Sequence, residues 1–166
     1  MTVLTLILAC GGAATDTGVD ADPSLVEAET LFASFGDLTS WGQPAGWEGV
    51  KVSCDGTHGP RVQVWADTVA LGALAEGAAV FPDGATLVKA AYDEDGTTLR
   101  NHTVMQKRVG SAPDAGDWYW ARLDARGAAT HAGAVTMCSD CHASAEVDNA
   151  FTATMAGADD AAGCAR

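Results

Sequence analysis

Positive charge is scarce in this chain: Lys and Arg number 9 against 22 Asp and Glu, giving a formal net charge of −13 over 166 residues. Long-range Coulomb repulsion from so acidic a protein excludes nucleic acid as a partner and disfavours anionic lipid surfaces. Lysine occurs only as Lys51, Lys89 and Lys107, so each copy asks for a reason. There is no internal repeat, and the N-terminal apolar run, Met1 to Ala9, is far shorter than the ~20 residues a membrane-crossing helix needs. A chain of this length supports one domain, burying about two thirds of its unfolded surface.

A second absence concerns metal. Cys138 and Cys141 form a C-x-x-C pair, but no further Cys or His pair at matched spacing follows before Arg166, so half of a zinc site is missing. The stretch Ala128 to Met137 before the pair is small and polar, unlike the buried strand that precedes a thioredoxin-like redox pair. What does follow is His142. Cys138-Ser139-Asp140-Cys141-His142 is C-x-x-C-H, the attachment signature of haem c, in which both thiols form thioethers with the vinyl groups and the histidine binds the iron.

Covalent haem attachment goes with export to an oxidising compartment. Leu6-Ile7-Leu8-Ala9-Cys10, followed by Gly11 and Gly12, resembles a bacterial lipobox, although no Lys or Arg precedes the apolar run. We therefore expect residues 1–10 to be a lipoprotein signal with Cys10 lipidated, 11–22 a flexible tether rich in Ala, Thr, Asp and Gly, and 23–166 the folded domain. With no aspartate at position 11, an outer-membrane lipoprotein in the periplasm or at the cell surface is expected. Cys54 and Cys164 are left over, and in an exported protein they most simply pair. That loop of over a hundred residues would stabilise the fold by roughly 4–5 kcal/mol in the chain-entropy account.

The pattern of elements predicts an α+β domain, a mostly antiparallel sheet with flanking helices and the haem-attachment segment beside it. Asp22 and Pro23 start a helix whose Leu25, Ala28, Phe32 and Phe35 share one face, and Gly36 stops it. Ser40 to Cys54 reads as loop, Arg61 to Trp65 as a strand, and Thr68 to Ala75 as a short helix. Ala85 to Tyr92 and Thr98 to Val109 read as a hairpin around the turn Asp93 to Gly96, with Trp118 to Leu123 as a third strand.

Phe81-Pro-Asp-Gly-Ala-Thr-Leu-Val-Lys89, the strand Trp118-Tyr-Trp120, and Cys138-Ser-Asp-Cys-His142 followed by Asp148 and Phe151-Thr152 together resemble the cytochrome P-460 family, which includes the β-sheet type of cytochrome c′. The likeness spans about Arg61 to Thr152. It implies an antiparallel β fold with one c-type haem whose iron, bound by His142, is open on the other side to small nitrogen ligands. It also implies, for members with the characteristic chromophore, a bond from a lysine to the haem edge, and Lys89 is the matching position. By strand alternation Leu87, Lys89 and Ala91 share a face, so Lys89 points either at the cofactor or into solvent. Glu146, four residues after His142, is either the carboxylate that accepts protons from hydroxylamine or an exposed surface group.

Three functions are open, the first two implied by the resemblance and the third by C-x-x-C-H alone. The first is oxidation of hydroxylamine to nitrous oxide with an external redox partner protein. The second is binding of nitric oxide without turnover. The third is simple electron transfer, with Met105, Met137 or Met155 closing the iron. His58, His102 and His131 show no spacing that pairs them as ligands. The sequence leaves a monomer and a homodimer both open.

Overall fold

The structure, a computed structural model, describes residues 22–54 and 56–151. The lipobox with Cys10, nearly all of the tether, Met155 and Cys164 lie outside the described residues.

Six strands form one antiparallel sheet in simple sequence order: β1 (Lys51–Val52), β2 (Arg61–Ala66), β3 (Thr86–Tyr92), β4 (Leu99–Lys107), β5 (Trp118–Asp124) and β6 (Ala129–Gly133). Three helices accompany it: α1 (Pro23–Ser34), α2 (Thr68–Glu76) and α3 (Thr136–His142). The α+β expectation holds. Local chemistry sets the helix ends. The Asp22 carboxylate caps α1 by accepting from the Ser24 N–H at 2.9 Å, and Asp67 caps α2 by accepting from the Ala70 N–H at 2.7 Å. Gly77, at φ +65°, takes the left-handed turn that ends α2.

Two strands differ from the sequence reading. β1 lies inside the expected loop as a two-residue pairing with Arg61 and Val62. β6 runs through the small, polar stretch, where Ala129 to Gly133 carry little that is buried and owe their extended form to the hydrogen-bond ladder offered by β5.

The pleat sorts side chains into two layers. On one face Val88, Val104, Ala121 and Leu123 are buried under α1, which contributes Ala28, Leu31, Phe32 and Phe35. On the other face Ala66, Leu87, Met105 and Trp120 stand in one row across β2 to β5, and Val64, Lys89, Thr103, Arg122 and His131 in the next, across β2 to β6. Helix α2 covers part of this face with Ala70 and Ala73. The two rows are the floor of a cavity.

Candidate functional site

α3 places the C-x-x-C-H segment at the edge of that cavity. Three residues apart on a helix, Cys138 and Cys141 share a face, and both carry free thiols. His142, the last residue of α3, is 8 % exposed, and its Nδ1 lies 2.8 Å from the backbone carbonyl of Asn149. A carbonyl only accepts, so Nδ1 carries the proton and Nε2 is the basic nitrogen, the tautomer a metal-binding histidine requires. Trp120 and Phe151 pack beside the ring, at 4.6 and 5.1 Å between centroids.

The loop that offers this carbonyl is itself held. Asp148 and Asn149 have φ of +46° and +63°, a conformation disfavoured for side-chain-bearing residues. Asp148 pins it from three sides: its carboxylate accepts from the Phe81 N–H at 2.8 Å, its backbone carbonyl accepts from Trp118 Nε1 at 2.7 Å, and both carboxylate oxygens lie 2.8 Å from Lys107 Nζ. Lys107 Nζ also donates to the Gly116 carbonyl at 2.7 Å.

The cavity measures about 610 Å³, within the range of ~300–1,000 Å³ usual for cofactor sites. Its walls are mainly apolar, with Trp47, Leu71, Leu74, Phe81 and Phe151 joining the sheet rows. In a protein this acidic, no Asp or Glu is among the described lining residues, while Lys89, Arg122, His58 and His131 are. Burial pushes the Cys138 thiol up; Arg122 nearby opposes this and Cys141 adds to it. Trp120 Nε1 is buried in the floor without a hydrogen-bond partner among the described residues.

These features fit a haem. Two thiols on one helix face can reach two vinyl groups, a correctly protonated imidazole is buried beside them, the walls suit a flat apolar ring, and the full charges among the described lining residues are cationic, which suits two propionates. Among the described residues no three His, Cys, Asp or Glu come together to hold a bare metal ion.

Of the other candidates, Lys89 lines the cavity, as do Met105 and Met137, the latter 63 % exposed at its rim. Glu146 is exposed, beyond the end of α3, and is not among the residues lining the cavity. Cys54 is disulfide-bonded; Cys164, the partner expected for it, lies outside the described residues. His102 is on the opposite face of the sheet, 4.7 Å from the Phe32 ring, where burial lowers its pKa. Sequence reasoning missed Arg122, His58 and the Lys107–Asp148 pair. The alternation of Trp118, Trp120 and Arg122 along β5 could have placed Arg122 beside the tryptophans, but no local signal marks the other three. No curated protein matches the chain. The Cytochrome P460 family model matches residues 45–152, well over half of the chain and the whole of the cavity's floor, and the chain belongs to that family of haem proteins.

Proposed function

We propose that this is an exported, lipid-anchored protein in which Cys138 and Cys141 hold one haem c and His142 binds its iron, and that it binds nitric oxide and oxidises hydroxylamine. The observation that carries the proposal is Lys89: it lines the same cavity as the C-x-x-C-H residues, in register with Val64 and Thr103 on the cavity face of the sheet. The cavity reading of Lys89 is thereby favoured over the solvated one. The family resemblance gives a lysine there its role, a bond to the haem edge.

When bound, the haem supplies an iron that takes a small nitrogen ligand and passes electrons on. The chain's own residues prepare that site. Asn149 holds the His142 proton on Nδ1 and so makes the imidazole a better donor. Apolar walls keep water from the ligand, and Arg122 offsets anionic charge. Overall, two hydroxylamine molecules become nitrous oxide and water with release of four protons and four electrons, the electrons leaving to an external one-electron acceptor protein.

A second reading, nitric oxide binding without turnover, is favoured by one observation: no carboxylate is among the described lining residues, and Glu146 is exposed. Purified holoprotein mixed with hydroxylamine and an artificial acceptor separates the two. Steady reduction of the acceptor with nitrous oxide release supports oxidation; formation of a nitric oxide complex with no turnover leaves the binding protein.

A further inference from the structure

Among the described residues, three besides glycine have positive φ: Asp117 at +58°, Asp148 at +46° and Asn149 at +63°. All three lie on the two segments that one ammonium joins. Lys107 Nζ donates to the carbonyl of Gly116, next to Asp117, at 2.7 Å, and lies 2.8 Å from both carboxylate oxygens of Asp148. Positive φ is costly for residues with side chains and persists only where the surroundings impose it, and such strain gathers at functional sites.

Asp148 and Asn149 are the central pair of a tight turn, closed by the Ala150 N–H donating to the Val147 carbonyl at 2.7 Å. Positive φ at both central positions is the I′ geometry, usually built from Asn-Gly. The mirror-image turn, with negative φ at both, is the commoner form and inverts the peptide planes. In the form this chain adopts, the Asn149 carbonyl meets His142 Nδ1 at 2.8 Å. The charged pair therefore stands one residue from the group that holds the imidazole proton. Buried ion pairs add little to stability over apolar packing, so one placed on a strained turn asks for another role.

We infer that Lys107 and Asp148 are a positioning pair: by holding the turn in its positive-φ form they keep the Asn149 carbonyl on His142 Nδ1, and so set how strongly the imidazole donates to the iron. The inference rests on the proposal that His142 binds a haem iron. A firmly held Nδ1 proton makes Nε2 the stronger donor, which favours ferric over ferrous iron. Releasing the carbonyl weakens the iron–imidazole bond and raises the reduction potential.

The test removes both charges together, Lys107→Met with Asp148→Ala, so that the net charge beside the iron is unchanged. Mature holoprotein is checked for covalent haem after denaturing electrophoresis and for cooperative unfolding. The iron–imidazole stretching band in resonance Raman spectra of the ferrous protein is expected at lower frequency than in the wild type. The preference for ferric iron should fall about tenfold, a rise in potential of about 59 mV for one electron. Lys107→Met with Asp148→Asn and Asn149→Gly supplies the Asn-Gly pair that favours the positive-φ turn unaided, and should restore both readouts without the ion pair. If the double variant does not fold, Trp118→Phe decides by the same readouts, since it keeps both charges and removes only the Nε1 bond to the Asp148 carbonyl. Folded holoprotein with the wild-type band and potential overturns the positioning role, as does a triple variant that restores neither. A wild type without covalent haem, or a band that survives His142→Ala, overturns instead the proposal beneath it.

Discussion

Lys107 and Asp148 form a buried ion pair, 5 % and 9 % exposed in their side chains, with Nζ 2.8 Å from each carboxylate oxygen. It joins the end of β4 to the loop that positions His142, and the two charged groups also bond to backbone of the site's frame, the carboxylate to the Phe81 N–H and the ammonium to the Gly116 carbonyl. Removing one partner leaves a buried charge unpaired, at a cost of about 3–5 kcal/mol. Asp148→Asn should therefore lower the denaturant midpoint strongly, and Lys107→Met with Asp148→Leu together should cost less than the two single changes summed. Strict additivity in chemical denaturation would show that the pair is not coupled.

Covalent attachment is checked by chemistry that coordination does not survive. Expressed with a cytochrome c maturation system, the wild type should keep its haem through denaturing electrophoresis. Cys138→Ala with Cys141→Ala should lose it, and His142→Ala should keep covalent haem while losing the proximal ligand.

For Lys89 the readout is optical. A bond from its amine to the haem edge would break the symmetry of the ring and move the ferrous Soret band far to the red. Lys89→Ala should return an ordinary c-type spectrum, abolish hydroxylamine oxidation and leave nitric oxide binding in place. An ordinary spectrum in the wild type, with no haem-linked peptide containing Lys89, removes the cross-link.

Acid sensitivity should trace in part to His102. Burial holds its folded pKa below the usual histidine value, so the folded protein resists a proton that the unfolded chain accepts near pH 6.5. Its contribution is present above that pH and is lost as the pH falls through the histidine range. His102→Leu, which also removes a buried Nδ1 without a hydrogen-bond partner among the described residues, should flatten the stability profile between about pH 7 and 5. An unchanged slope in denaturant midpoints across that range would assign the acid sensitivity elsewhere.

Lipidation and the disulfide are read by mass. Fatty-acid labelling should depend on Cys10, and non-reducing peptide mapping should join Cys54 to Cys164. Two alkylatable thiols at the latter positions in the exported protein would refute that bridge.

Much of the framework was legible because its causes are local. Asp22-Pro23 and the N-cap Asp67 mark helix starts through bonds to residues two and three positions on, and the Asp93 to Gly96 turn closes its hairpin with a Gly96 N–H to Asp93 bond of 2.9 Å. The C-x-x-C-H segment announces its chemistry in five consecutive residues. β6 was not legible, since its small polar residues are extended only because β5 pairs with them.

What the sequence by itself determined is therefore the cofactor signature, the helix ends and the alternation that puts Leu87, Lys89 and Ala91 on one face of their strand. Only the tertiary structure decided which groups meet there. Asp148 reaches Lys107 across 41 residues and Phe81 across 67, and His58 comes within 6.3 Å of His142 from a loop before β2. Such meetings follow from strand register and loop closure, which depend on the whole sheet and leave no trace in the spacing of neighbours along the chain.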